Sequence, residues 1–223
     1  MEIKELLKRL QRIIIFGIFY MATFYFIEAR TVPIHIIHTK LDDIIPFCEY
    51  FIVPYVFWYA YVCGTVLYLG LTDKTAKEYY RLITNMILGM VVFVIISFVY
   101  PNGQNLRPVL TGDSIFIRAV KLLYTIDTST NILPSLHVFL SVACDLALCR
   151  SPFFQKYHLW KGISHLITII ICLSTMFLKQ HSILDVIAAL FCNILFYQLI
   201  YCNEKYVERH HLRKHISNSS LQR

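Results

Sequence analysis

Thr84-Asn-Met-Ile-Leu-Gly-Met-Val-Val-Phe-Val-Ile-Ile-Ser-Phe-Val-Tyr100 contains no Asp, Glu, Lys or Arg. A membrane-crossing helix needs about 20 predominantly apolar residues, and this run is close to that length. Five further apolar segments resemble it, at residues 10–28, 48–70, 134–149, 163–179 and 183–202. The expected fold is therefore all-α, a polytopic membrane protein with six transmembrane helices. Composition agrees. Of 223 residues, 57% are hydrophobic and only 16% charged, with a mean hydropathy of +0.57. Soluble domains carry roughly 25% charged residues, so most of this surface faces something other than water.

The net charge of +7 would suggest nucleic acid in a soluble protein. Here the cations sit in short runs between apolar stretches, so they read as topology signals. Lys4, Lys8, Arg9 and Arg12 form a basic front to the first segment, and the loops at 71–83 and 150–162 and the tail after 203 are also basic. The loops at 29–47, 101–133 and 179–182 are poorer in cations. The positive-inside rule then places both termini in the cytoplasm and those three loops on the extracellular, periplasmic or luminal side. The first segment reads as an uncleaved signal anchor. The expected organisation is a cytoplasmic N-terminal segment 1–12, a six-helix membrane domain 13–202 and a cytoplasmic basic tail 203–223. Seven cysteines, at 48, 63, 144, 149, 172, 192 and 202, form no CxxC pair. They read as small apolar residues, not as a disulfide framework or zinc site. His35 and His38, with Asp42 and Asp43 nearby, read as part of an interfacial amphipathic helix within Ile34–Ile45 rather than as metal ligands.

The outward loops carry the chemistry. Three pieces stand out: Tyr100-Pro-Asn-Gly-Gln-Asn-Leu-Arg107-Pro108, Asn131-Ile-Leu-Pro134-Ser135-Leu-His137, and Ser174-Thr-Met-Phe-Leu-Lys179-Gln-His181-Ser-Ile-Leu-Asp185. His181 and Asp185 are one helical turn apart and share a face. A carboxylate there accepts the Nδ1 proton and leaves Nε2 as a free lone pair, which a nucleophilic imidazole needs. His137 is placed to act as general acid and then base. Pro134 suits a helix start, where Ser135 and free N–H groups can meet an anion. Arg107, between loop prolines, offers a guanidinium that binds two phosphate oxygens. Taken singly, each has a plain structural reading: a helix-start ion pair, a satisfied helix-end histidine, a loop charge. Together, on one side of the membrane, they supply nucleophile, acid and phosphate clamp.

The three pieces together resemble the type 2 phosphatidic acid phosphatase superfamily. Its pattern is Arg-Pro, then Pro-Ser-x-His, then Ser-Arg with a His and a following Asp. The form of the motifs is similar to the branch that contains inositol phosphorylceramide synthases and many bacterial membrane proteins. Tyr100 and Thr175 stand where that family carries Lys and Arg. The resemblance implies a lipid-phosphate phosphatase that works through a phosphohistidine without a metal or cofactor. His181, His137 and Asp185 would be catalytic, and Arg107, Ser135, Lys179 and Ser174 would bind phosphate, with Lys179 supplying one missing cation. The expected partner is a phosphorylated lipid, and no nucleic acid. Two alternatives stay open: a lipid headgroup phosphotransferase, and a non-catalytic binder or transporter of anionic lipid.

Overall fold

The computed structural model describes residues 3–73 and 75–202. In chain order these form α1 (Ile3–Glu28), β1 (His35–Ile36), α2 (Lys40–Ile44), α3 (Ile52–Thr72), α4 (Lys77–Val99) and β2 (Asn102–Gly103). There follow α5 (Ile115–Ile126), α6 (Leu136–Arg150), α7 (Pro152–Lys156), α8 (His158–Phe177) and α9 (Ile183–Tyr197). A 3-10 turn, Glu49–Phe51, leads into α3, and a π-helical turn, Gln198–Cys202, continues α9. The tail at 203–223 lies outside the described residues.

Among the described residues, five helices are long and apolar enough to cross a membrane: Leu7–Glu28, Glu49–Thr72, Lys77–Val99, His158–Phe177 and Ile183–Tyr201. This makes the chain an all-α protein of the multi-pass membrane type. The sequence segment 134–149 becomes α6, which is not one of the five. It has 15 residues, and at 1.5 Å per residue it spans roughly 22 Å, less than the ~30 Å hydrocarbon core. Its apolar character has another cause. Val138, Phe139, Ala143, Cys144 and Ala147 are all essentially inaccessible, and α6 packs against α3, α4, α8 and α9. α6 is therefore the core of the bundle, and the other helices give it an apolar surround that lipid would otherwise provide.

Close approach to α6 depends on Gly89 in α4. A Cβ there would lie 2.0 Å from the Phe139 ring. Polar side chains tie the helices where water is scarce. Asn193 Nδ2 donates to the Phe139 carbonyl at 3.1 Å. Tyr61 Oη lies 3.0 Å from Ser164 Oγ and 3.1 Å from Thr168 Oγ1. At the far end, Arg9 of α1 caps the carbonyls of Gly70 and Asp73, both at 2.9 Å.

The segments between α1 and α3, between α4 and α6, and between α8 and α9 meet at one end of the bundle. The expected helix across 34–45 is not formed. His35 and Ile36 instead pair in parallel with Asn102 and Gly103, and only Lys40–Ile44 is helical. The strand pair gives the backbone partners that an isolated short helix would lack. Asn102 fastens the next loop, its Oδ1 accepting from Ile132 N (2.9 Å) and Leu133 N (3.0 Å). The long loop also holds α5, with Ser114 Oγ accepting from Ile117 N at 3.1 Å as its N-cap. Ile117, Val120 and Leu123 are the buried residues of α5, and Val120 and Leu123 cluster with Ile52, Tyr55 and Leu178.

Candidate functional site

The turn between α8 and α9 builds the site. Lys179 takes a left-handed conformation, φ 54°, which stops α8. The N–H groups of Gln180 and His181 both donate to the Thr175 carbonyl, at 2.9 and 3.1 Å. Ser182 then caps α9, and Asp185 completes a capping box by accepting from Ser182 N at 2.9 Å. His181 is thus held between two helix ends. Its Nδ1 lies 3.4 Å from Asp185 Oδ2. That contact is longer than a good hydrogen bond and would tighten with charge on the ring.

Ser135 brings the second histidine. Its Oγ accepts from Val138 N at 3.4 Å to cap α6, and its N–H donates to the Asp185 carbonyl at 3.2 Å. The starts of α6 and α9 are therefore adjacent, and the His137 and His181 ring centroids lie 5.9 Å apart. His137 is positioned by aromatic rings, Tyr55 at 4.4 Å and Trp58 at 4.2 Å. Its Nε2 has no protein partner.

Both histidines line a cavity of about 230 Å³. The rest of its wall comes mainly from the aromatic residues Tyr20, Phe24, Trp58, Tyr59 and Phe93, from Gln180, and from Asp127 with the following loop. The structure thus brings His181, Asp185, His137 and Ser135 together. It places Arg107 behind the wall. The guanidinium donates to the carbonyls of Tyr124 (3.1 Å) and Asp127 (2.6 Å) and to Gln180 Oε1 (2.5 Å). It also packs on the Tyr124 ring, 4.3 Å from the centroid. Gln180 stands between it and the cavity, and Gln180 Nε2 is buried without a partner.

None of the four expected phosphate ligands lines the cavity: Arg107 stands behind Gln180, Ser135 is wholly buried at the cap of α6, and Lys179 and Ser174 lie elsewhere. Lys179 Nζ donates to the Asp42 carbonyl at 2.6 Å, on a separate surface groove with His38 and Asn105. The left-handed backbone that ends α8 sends this side chain away from His181. Ser174 is wholly buried, and its hydroxyl donates to the Ile171 carbonyl at 2.6 Å within α8.

Sequence reasoning missed Gln180, Asp127 and Asp42. Gln180 had one signal, its place directly before His181. Asp127 had none, being one acid in a long loop; Tyr55 Oη donates to its carboxylate. Asp42 serves the scaffold. It accepts from Ser182 Oγ (2.7 Å), Ile183 N (2.8 Å), Thr39 N (2.8 Å) and Thr39 Oγ1 (2.9 Å). Burial pushes the Asp42 carboxyl upward, but these donors outweigh it and hold the pKa below the ordinary carboxylate value.

The chain matches no family model, no curated protein and no solved structure.

Proposed function

We propose that the chain is a membrane lipid-phosphate phosphatase acting through a phosphohistidine. The observation that carries this reading is the facing pair, His137 and His181, on one cavity with Asp185 behind His181 Nδ1. The resemblance of the three loop motifs to the type 2 phosphatidic acid phosphatase superfamily supports it. His181 Nε2 attacks phosphorus, forming the N–P bond as the P–O bond to the lipid alcohol breaks. Asp185 keeps the proton on Nδ1 and stabilises the cation that forms. His137 Nε2 protonates the departing alkoxide, then takes a proton from the water that cleaves the N–P bond. Gln180 Nε2, polarised through Oε1 by Arg107, meets a phosphoryl oxygen. A second alcohol in place of water makes the same chemistry a transfer, and the predominantly apolar lining favours that course.

In this reading α6 counts as the sixth crossing. Both termini are cytoplasmic, and the cavity opens on the extracytoplasmic side. The test is phosphate release from a panel of lipid phosphates in detergent with EDTA, comparing wild type with His181→Ala. Release that survives EDTA and disappears in the variant is expected. Equal release from both proteins would remove His181 as nucleophile.

A further inference from the structure

Towards the C-terminal end of α6, away from His137, two helices bring three metal-binding side chains together. Asp145 and Cys149 stand one turn apart on α6, and His165 reaches them from α8. Asp145 Oδ2 lies 2.7 Å from His165 Nδ1, and Asp145 Oδ1 lies 3.6 Å from Cys149 Sγ. His165 Nε2 in turn lies 3.8 Å from Cys149 Sγ. One donor atom from each residue lies within 4.8 Å of the other two. The carboxylate is oriented from behind, since Ser164 Oγ donates to its Oδ1 at 2.6 Å and Tyr61 Oη lies 3.0 Å from that hydroxyl. Asp145 and Cys149 are buried, whereas the His165 side chain is 52% exposed. The cluster is closed towards the bundle and open on one side.

A cysteine, a histidine and an aspartate together have two chemical uses, and the geometry separates them. In a thiol nucleophile the carboxylate touches the histidine alone. Here it also meets the thiol, so an ionised sulfur would face a second anion where water is scarce. A bound cation removes that conflict, taking both anions and the imidazole as ligands. We propose that Asp145, Cys149 and His165 bind a zinc-type divalent ion, with an open fourth position on the exposed side. Oxygen, nitrogen and sulfur donors together suit Zn²⁺, whereas Mg²⁺ and Ca²⁺ take oxygen. Tetrahedral bonds of about 2.0–2.3 Å set ligand atoms roughly 3.3–3.6 Å apart, which the half-exposed His165 ring meets by a small swing. Cys149 gives its proton to solvent as the Sγ–metal bond forms. Ser164 and Tyr61 supply the outer hydrogen bonds that orient a ligating carboxylate. No CxxC spacing announces the site, because its ligands meet only where α6 packs on α8. At 1.5 Å per residue, Asp145 and Cys149 lie roughly 12 and 18 Å along α6 from His137. The ion therefore stands outside the phosphoryl chemistry, which its removal by EDTA leaves in place.

Cobalt(II) is the probe, because a cobalt–thiolate bond absorbs strongly in the near ultraviolet and carboxylate or imidazole ligands alone do not. The full chain, carrying no polyhistidine tag, is stripped with EDTA in maltoside micelles, freed of chelator and titrated with Co²⁺, then with Zn²⁺ as competitor. One equivalent of Co²⁺ is expected to give the thiolate band and one equivalent of Zn²⁺ to remove it. Cys149→Ser is expected to abolish the band, and Cys192→Ser, on α9, to keep it. Ser164→Ala should weaken Co²⁺ binding about 10–100-fold, as the loss of an outer hydrogen bond does. Saturating Zn²⁺ should raise the melting temperature of wild type and not that of Cys149→Ser. If Cys149→Ser does not fold, His165→Ala is read in its place and should weaken Co²⁺ binding at least about ten-fold. A folded wild type with no thiolate band overturns the proposal, and so does a band of equal strength and affinity in Cys149→Ser or His165→Ala. Metal held instead by His210, His211 and His215 would register as binding without a thiolate band, which overturns it equally.

Discussion

Asp185 does two jobs that a single substitution can separate. Its Oδ2 caps α9 through Ser182 N and also faces His181. Asparagine keeps an acceptor for the cap but loses the charge that fixes the tautomer. Asp185→Asn is expected to lower kcat by about 100-fold or more with little change in melting temperature, matching the scale of acid–base contributions. Single-turnover kinetics beside a melting curve checks this. Lys179 should behave the opposite way, because its ammonium serves Asp42 and not the cavity. Lys179→Ala is expected to cost about 1 kcal/mol of stability and to leave turnover within about two-fold. A large loss of turnover in a folded variant would return Lys179 to the chemistry. Asp42 gives a pH signature. Its folded pKa is depressed, so its contribution is fully present above the unfolded value. That contribution is lost as pH falls through the folded value, below the ordinary carboxylate pKa of about 3.9. Asp42→Asn should flatten the acid limb of the stability curve below about pH 4, measured by melting temperature against pH.

At the scale of elements, the α4–α6 contact is the most demanding. The Phe139 ring occupies the space that a Cβ on residue 89 would need, and Phe139 is itself buried against Phe196. Gly89→Ala gains helix propensity, worth about 1 kcal/mol, but must displace a packed ring, which costs about 1–3 kcal/mol. The expected net result is a modest loss of stability, together with weakened turnover because His137 lies two residues before Phe139 on α6. Phe139→Leu in the same background should recover both. The α8–α9 turn belongs to this scale too. His181 is positioned by a helix ending and a helix beginning, and neither helix alone would hold it.

For the whole molecule, burial separates α6 from the other apolar helices. Cys63 on α3 is exposed while Cys144 and Cys149 on α6 are buried, and α1 and α9 carry exposed Ile, Leu and Phe residues. A photoactivated carbene from a lipid-soluble diazirine is therefore expected to label α1, α3 and α9 in membranes and to spare α6. Labelling of α6 at the level of α3 would place it against lipid.

Much of this was legible in the residues. The length and apolarity of the segments determined a helical membrane protein, because an uncharged run such as Thr84–Tyr100 has few other stable settings. The spacing of His181 and Asp185 suggested a shared helix face, but His181 lies in the turn before the Ser182 cap, and Asp185 comes near its ring from the first turn of α9. Hydropathy could not tell the lipid-facing helices from α6, because lipid and protein interior select the same side chains. The Pro and Gly residues of 101–133 masked α5, whose apolar face has meaning only against Ile52, Tyr55 and Leu178. Which cations reach the cavity was likewise a tertiary matter. A left-handed residue turns Lys179 outward, and Gln180 stands before Arg107. The aromatic and acidic wall around the histidines joins residues from α1, α3, α4 and the loop after α5. Only the packing of the bundle brings them together.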